Sequence, residues 1–197
     1  MEGGEEAGGE ARELARLLLR TARRAAGLGR PEHRFLALLA VANRFLEERG
    51  LGRLVIVGGF AVELLTGGAT RTLDVDVAVE RVEAARLLEE ALRLLARLGE
   101  GEAVESVRGP VVGLGSVEKS IDLVSSSYHA RFPPLSVEVP GYGRVYVEAP
   151  EELVLRYLRE RLYWGTVESW RRVLLLLGVL WDRMDLRGLA AEACRED

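Results

Sequence analysis

The feature that most restricts the fold is a buried strand that leads, through two glycines and a short helix, into a strand with two aspartates. The continuous apolar run 54–57 is typical of a strand that is buried on both faces. Gly58 and Gly59 follow it directly, and 60–65 has helical spacing. The alternating residues of 72–79 predict the second strand. This order connects a glycine turn at the start of a helix to a strand that carries carboxylates.

Asp74 and Asp76 lie two residues apart in this second strand. Side chains alternate along a strand, so the two carboxylates share one face and their α-carbons are roughly 7 Å apart. Without a counter-charge they would repel each other and resist ionisation. A hard divalent cation removes this conflict because carboxylate oxygens are its preferred ligands. The pattern also suits two solvated carboxylates on an exposed face, or carboxylates paired with arginine.

The two glycines would allow a phosphate group to approach the backbone where the helix starts. Glycine has no side chain to block the approach, and the N–H groups of a helix start favour negative charge. A plain tight turn explains the same dipeptide. Arg71 and Thr72 precede the aspartate strand and offer a guanidinium fork and a hydroxyl donor to phosphate oxygens. A surface ion pair is the alternative for Arg71.

Gly58-Gly59 followed by Asp74-Val75-Asp76 resembles the signature of the DNA polymerase β-like nucleotidyltransferase superfamily. In that superfamily a Gly-Gly or Gly-Ser precedes a strand with Asp-x-Asp or Asp-x-Glu. More narrowly, the chain resembles small prokaryotic members of archaeal type, related to the AbiEii-type nucleotidyltransferases of abortive-infection toxin systems. The segments that carry this likeness are 58–62, 66–68 and 71–76. The resemblance is strong over about residues 53–80 and weaker to about 180.

The resemblance implies a third carboxylate on a later strand. Asp122 is the best candidate because Ile121 and Leu123 lie on the opposite face of that strand. Glu118 has the same parity as Asp122 and is the second choice. A surface aspartate without a role is the alternative for Asp122.

The resemblance also implies two divalent ions, Mg²⁺ or Mn²⁺, as cofactors. Asp74 and Asp76 would hold both ions, and Asp122 would bind one ion and act as the base. One ion helps to activate the attacking hydroxyl, and the other binds the triphosphate and stabilises the departing pyrophosphate. Independently of the resemblance, three carboxylates are tolerable close together when cations join them.

The segment 147–156 resembles the family's strand-to-helix junction, where a basic residue on the helix is commonly Lys. Arg156 or Arg159 occupies that region here, and Arg156 is the expected phosphate contact. Lys119 is the only lysine, and its position three residues before Asp122 places it on the opposite face. The expected nucleotide-binding residues are thus Gly58, Gly59, Arg71, Thr72 and Arg156.

Composition limits the classes of partner and compartment. A formal net charge of −4 argues against a surface devoted to coating nucleic acid. The longest apolar runs, 54–62 and 173–181, are about half as long as a bilayer crossing. Residues 1–10 are rich in glutamate without a basic residue, unlike a secretory signal. The lone Cys194 forms no internal disulfide. We therefore expect a cytoplasmic protein without membrane contact.

The numbers of histidine and amide side chains bear on metal binding and on the growth temperature of the source organism. His33 and His129 have no partners at zinc-ligand spacing, so a zinc site is not expected. Asn43 is the only amide side chain, and glutamine is absent. The scarcity of amides suits a thermophile, although a GC-rich genome would also favour the abundant arginine, alanine, glycine and leucine.

These patterns predict an α+β fold, with a small mixed sheet of the nucleotidyltransferase type flanked by helices and a C-terminal helical bundle. The expected parts are an N-terminal helical segment (1–50), a nucleotidyltransferase sheet domain (51–149) and a C-terminal helical region (150–197). Residues 1–10 are expected to fray, and the three tryptophans to pack in the core or between helices. The predicted helices are 10–26, 31–49, 60–65, 81–98, 151–163, 167–181 and 185–194. The predicted strands are 54–57, 72–79, 104–107, 111–114, 117–124, 135–139 and 144–147.

The sequence favours metal-dependent transfer of a nucleoside monophosphate from an NTP to a hydroxyl acceptor, with release of pyrophosphate. The acceptor is a protein side chain, an RNA end or a small molecule, and the sequence does not choose among them. Two other functions stay open. One is a non-catalytic nucleotide-binding or protein-interaction module, with a homodimer mate or a toxin–antitoxin partner. The other is a helical scaffold in which Asp74 and Asp76 pair with arginines.

Overall fold

The structure is a computed structural model that describes residues 2–98, 105–106, 109–110 and 119–195. These residues form seven α-helices, seven strands and one 3₁₀ turn, Trp181–Arg183. The helices are α1 (Glu2–Ala25), α2 (Pro31–Glu48), α3 (Gly58–Leu65), α4 (Val82–Leu98), α5 (Pro150–Trp164), α6 (Val167–Leu180) and α7 (Leu186–Ala193). The strands are β1 (Leu54–Ile56), β2 (Asp74–Val79), β3 (Glu105–Ser106), β4 (Gly109–Pro110), β5 (Ser120–Ser125), β6 (Leu135–Val139) and β7 (Gly143–Val147).

Five strands form one mixed sheet in the order β5-β2-β1-β7-β6. The β1/β2 and β6/β7 pairs are antiparallel, whereas β1/β7 and β2/β5 are parallel. The parallel pairs join strands that are distant in the chain, and helices lie between them in sequence. The predicted α+β class with a mixed sheet flanked by helices is confirmed.

Local sequence explains where two of the helices begin and end. Pro31 occupies the first turn of α2, where its missing N–H costs no hydrogen bond. α5 begins in the same way at Pro150, with Glu151 and Glu152 near the positive end of the helix dipole. Gly165 ends α5 with φ +66°, a left-handed conformation that glycine adopts without strain.

One cluster of buried apolar side chains connects the parts of the chain that the sequence predicted as separate segments. It includes Leu14 of α1, Phe35 of α2, Val77 of β2, Leu88 of α4 and Leu176 of α6. Val75, Val77 and Val79 are fully buried, so this face of β2 lies against the core and the aspartate face is the other one. Within the described ranges, no helix has the length and apolar composition that a membrane crossing requires.

Four expectations differ from the structure. α1 begins at Glu2, eight residues before the predicted helix start at residue 10. α3 begins at Gly58, so the two glycines form its first turn instead of preceding it. β5 begins at Ser120, and the predicted strand 111–114 lies outside the described residues. Contrary to the expected packing, the tryptophans are exposed: Trp164 by 80%, Trp170 by 43% and Trp181 by 57%. Other residues fill the inward faces of the helices.

Candidate functional site

Three carboxylates meet on one face of the sheet, where β2 and β5 run side by side. The parallel register pairs Asp76 with Asp122 and Asp74 with Ser120. Asp74 and Asp76 share a face by alternation, and register partners in a parallel pair point to the same face. The structure thus brings the three predicted aspartates together, although 46 residues separate Asp76 from Asp122 in sequence.

Asp76 is at the centre of this negative charge. Burial raises the pKa of its carboxyl, and the carboxylates of Asp74 and Asp122 raise it further. The backbone N–H of Gly59 and the guanidinium of Arg156 act in the opposite direction without restoring the ordinary pKa. Burial and the repulsion between neighbouring carboxylates therefore both disfavour the charged form of Asp76.

Gly58 is required by the close approach of α3 to Asp76. Its φ is +63°, and a Cβ at this position would lie 2.4 Å from Asp76 Oδ2. A non-glycine residue would meet both backbone strain and a steric clash. The first turn of α3 has no side-chain cap, so the sheet carboxylate takes the place of a cap at the positive end of the helix.

Gly59 borders a group of donors that could bind an anion. A Cβ on Gly59 would lie 3.2 Å from Thr72 Oγ1 and 3.7 Å from Arg172 Nη2. Arg172 Nη1 donates to the Tyr157 hydroxyl at 3.1 Å, which fixes the guanidinium beside the start of α3. Its Nε is buried without a hydrogen bond, with Glu168 Oε1 at 3.6 Å. The Thr72 hydroxyl and the Arg172 guanidinium therefore converge beside the start of α3, whose Gly58 and Gly59 N–H groups donate to Glu148 and Asp76.

Sequence reasoning missed Arg172 as a site residue. It lies on α6, about 110 residues after Gly59, and no spacing rule connects the two positions. The adjacent Arg171 has the same chemistry, but its side chain is 76% exposed. Helical periodicity shows that Arg172 faces inward and Arg171 outward only when it is already known which face of α6 is buried.

Arg156 lies near the carboxylates but is already paired. Its guanidinium donates to Glu148, whose side chain is 3% exposed. Burial raises the pKa of Glu148 to about 7, and Arg156 and the N–H of Gly58 lower it only in part. Arg71 is exposed just before β2. The structure thus places Arg156 beside Asp76, while a role for Arg71 stays a prediction.

Lys119 and Glu63 form a buried ion pair behind the site. Lys119 Nζ lies 2.9 Å from Glu63 Oε2, and the two side chains are 8% and 2% exposed. The same carboxylate oxygen accepts from the Thr72 N–H at 2.9 Å. Lys119 is therefore used to hold α3, β5 and the start of β2 together, as its opposite parity to Asp122 indicated.

The donor set suits a hard divalent cation, but the side chains do not form a finished metal site as placed. Among the described residues, no group of three or more His, Cys, Asp or Glu side chains is arranged to hold a metal ion. Asp74 Oδ1 accepts from Ser120 Oγ at 2.9 Å, and Asp76 accepts from the N–H of Gly59. Carboxylate oxygens are the ligands that Mg²⁺ and Mn²⁺ prefer, and three stand on one face. Glu118, the second choice for the third carboxylate, lies outside the described residues.

Comparison with solved structures identifies the architecture. An antigenic nucleotidyltransferase-like protein from Paracoccidioides brasiliensis matches with a TM-score of 0.53 at 16% identity, over 84% of this chain and 88% of that chain. The chain has a nucleotidyltransferase-like fold. At this identity the likeness concerns the fold alone.

Two structures of ANT(2'')-Ia are also similar. The complex with adenylyl-2''-tobramycin has a TM-score of 0.46 at 18% identity, over 81% of this chain and 96% of that one. The solution structure has a TM-score of 0.37 at 21% identity, over 77% and 91%. No family model matches the sequence, and no curated protein matches it. The narrower AbiEii-type resemblance stays a prediction.

Proposed function

We propose that this chain is a metal-dependent nucleotidyltransferase that moves a nucleoside monophosphate from an NTP to a hydroxyl acceptor and releases pyrophosphate. The observation that carries the proposal is the register of β2 and β5, which sets Asp76 beside Asp122 with Asp74 on the same face. This arrangement occurs in a nucleotidyltransferase-like fold. The repulsion of Asp76 by the neighbouring carboxylates of Asp74 and Asp122 supports a cationic ligand.

The donors around Gly59 support the nucleotide half of the proposal. The Thr72 hydroxyl and Arg172 converge there, next to the start of α3, and each favours a phosphate oxygen. Arg71 just before β2 and Arg156 beside Asp76 add positive charge. We assign the triphosphate to this side and the acceptor hydroxyl to the side of Asp122.

In the proposed reaction, the acceptor oxygen attacks the α-phosphorus of the NTP. The new bond joins that oxygen to the α-phosphorus, and the bond from the α-phosphorus to the bridging oxygen breaks. Pyrophosphate leaves with that oxygen, and Asp122 accepts the proton of the hydroxyl. Divalent ions held by Asp74, Asp76 and Asp122 would supply Lewis-acid stabilisation of the phosphate charge.

A second function is favoured by specific contacts, namely a non-catalytic nucleotide-binding or protein-interaction module, such as one half of a toxin–antitoxin pair. Arg156 is paired with Glu148, and Asp74 accepts from Ser120. Such contacts are what a site without turnover would retain. The clustering of Asp74 and Asp122 around Asp76 favours the enzyme, because an idle site gains nothing from clustered carboxylates.

Ligand-induced stabilisation tests the proposal. Thermal unfolding of the wild type, Asp74→Asn and Asp76→Asn would be followed with each NTP, with and without Mg²⁺. An NTP at about 100 times its Kd stabilises by roughly 2.7 kcal/mol, and we expect this effect only with Mg²⁺ and both aspartates. Glu138→Gln, on exposed β6, is the control and should behave as the wild type.

Two outcomes separate the candidate functions. Stabilisation that needs Mg²⁺ and both aspartates, together with pyrophosphate release when acceptors are supplied, supports the transferase. Stabilisation without Mg²⁺, unchanged in both variants, would support the non-catalytic nucleotide-binding module instead. Wild-type behaviour of Asp122→Asn in pyrophosphate release would move the base to another residue.

A further inference from the structure

α6 presents an apolar stripe to solvent as well as an apolar face to the core. Val173, Leu176 and Leu180 are buried, as expected for the inward face. On the outward side, exposed apolar residues recur at three- and four-residue spacing and continue into the 3₁₀ turn. We call this surface the α6 stripe: Val167, Trp170, Leu174 and Trp181, which are exposed, together with Leu177, which is half-buried and also packs against the core.

The exposure of the stripe is large for a helix with a complete inward face. Val167 is 70% exposed, Leu174 52% and Trp181 57%. Their positions repeat every seven residues, with Trp170 and Leu177 between them, which is the spacing of a helix-pairing seam. An exposed apolar seam of this kind marks an interaction surface.

The area of the surface fits an interface between proteins of this size. The end of α5, next to α6 in the chain, exposes three more apolar side chains, Leu162, Tyr163 and Trp164, each about four-fifths exposed. Together with the four exposed residues of the stripe, these make seven apolar side chains. At about 100 Å² each, they offer roughly 700 Å² of apolar surface. A standard interface buries about 800 Å² on each partner.

The stripe is complementary to itself when two copies run antiparallel. Trp170 lies four residues before Leu174, and Gly178 lies four residues after it. A two-fold axis at Leu174 therefore sets the Trp170 indole of each copy beside Gly178 of the other copy. A Cβ on Gly178 would meet nothing within 4 Å, so that space is open. The same axis sets Val167 against Trp181, seven residues on either side of Leu174.

Charge near the stripe also suits this pairing. The stripe contains no charged residue, while Arg171 lies on α6 and Asp182 lies in the 3₁₀ turn that follows it. In an antiparallel pair with the axis at Leu174, Arg171 of one copy faces the half of the other copy that ends near Asp182. The present partner of Arg171 is Glu168 at 3.7 Å, and both side chains are more than half exposed.

We propose that α6 pairs with α6 of a second copy of this chain, antiparallel and with the two-fold axis at Leu174. The pairing buries Trp170 beside Gly178 of the second copy. It is independent of the proposed enzymatic activity, because none of the stripe residues belongs to the carboxylate site.

Sedimentation velocity tests the pairing on the full chain. We expect a dimer for the wild type, and a Kd at least ten-fold weaker for Leu174→Glu because each copy would bury a carboxylate at the axis. Val179→Glu is the matched control, since Val179 is 49% exposed on the same helix but off the stripe. A wild type that stays monomeric at about 100 µM, or a Leu174→Glu variant that dimerises as well as the wild type, would overturn the proposal.

Disulfide trapping tests the geometry without relying on a destabilised variant. In a Cys194→Ser background, Leu174→Cys should crosslink to itself, because disulfides need α-carbons within about 7 Å. Val167→Cys should crosslink only when mixed with Trp181→Cys, and Val179→Cys should not crosslink. Self-linkage of Val167→Cys would indicate parallel helices and overturn the antiparallel pairing. Absence of the Leu174→Cys crosslink would overturn the proposal as well.

Discussion

At the scale of single residues, Asp76 joins the three main parts of the site. Its carboxylate accepts from the first turn of α3, lies beside Asp122 and is repelled by Asp74. Gly58 can approach it only because no Cβ intervenes. The charge of the site, the position of α3 and the need for glycine at position 58 therefore all involve Asp76.

Asp76→Asn should stabilise the metal-free protein at neutral pH. The pKa of Asp76 is raised in the folded state, so the folded state binds a proton more tightly than the unfolded chain does. Stability is therefore lost as pH rises from the ordinary value of 3.8 through the raised pKa. We expect Asp76→Asn to be more stable than the wild type at pH 7, with the difference shrinking towards pH 4, in urea unfolding with EDTA. A variant that is less stable at both pH values would contradict this sign.

Gly58→Ala should cost more stability than a glycine substitution with backbone strain alone. Gly67 is the matched control, because its φ is +65° and a Cβ there would meet nothing within 4 Å. We expect Gly67→Ala to lose about 1 kcal/mol, and Gly58→Ala roughly 2–4 kcal/mol because its Cβ also displaces Asp76. Chemical denaturation measures both, and equal losses would mean that the contact with Asp76 is unimportant.

Arg172→Ala should weaken NTP binding by about 10–100-fold, since a hydrogen bond from a charged donor contributes roughly 1.5–3 kcal/mol. Titration calorimetry with Mg²⁺ and an NTP measures the loss. Arg171→Ala, one position away and largely exposed, should bind as the wild type does. Arg172→Lys keeps the charge without the fork and should fall between the two. Equal affinities for all four proteins would remove Arg172 from the site.

At the scale of elements, the position of α3 depends on the buried pair of Glu63 and Lys119. Lys119 reaches from the start of β5 to Glu63 on α3, and its ammonium lies 4.7 Å from the Phe60 ring centroid. The Thr72 N–H donates to the same carboxylate. One ion pair thus fixes the helix against both strands that carry the aspartates.

Lys119→Met should destabilise the protein by about 3–5 kcal/mol, because it leaves Glu63 buried without its counter-charge. The double variant Lys119→Met/Glu63→Gln should recover most of the loss, since the amide still accepts from Thr72. Urea unfolding of the single and double variants gives the coupling. A single variant as stable as the wild type would show that the pair contributes nothing to holding α3.

Elements with strong local signals were predictable from the sequence. The Pro31 and Pro150 helix starts and the alternation of β2 follow from local sterics, and so does the common face of Asp74 and Asp76. The strand order β5-β2-β1 does not follow from local sequence, because it depends on contacts between distant parts of the chain.

The same limit explains what sequence reasoning missed in the site. Arg172 reaches Gly59 only through the packing of α6. On α6 itself, apolar residues occupy two sides of the helix, so periodicity alone did not show that Trp170 faces solvent.

At the scale of the whole molecule, the N-terminal helices and the C-terminal helices share one apolar core with the sheet. Leu14 of α1 is fully buried in the same cluster as Leu153 of α5 and Leu176 of α6. Stability is therefore expected to be global, with no part of this cluster unfolding by itself.

Leu14→Ala should consequently lower the free energy of unfolding by about 2–5 kcal/mol, and the loss should be the same for reporters far from α1. All three tryptophans lie after residue 160, so their fluorescence follows the C-terminal helices, whereas far-UV circular dichroism follows all helices. We expect the two urea transitions to shift together, while Arg16→Ala, exposed on the same helix, shifts neither. An unchanged tryptophan transition in Leu14→Ala would mean that residues 1–50 fold as a separate unit. A joint shift means that the start of the chain stabilises the sheet that carries the three aspartates.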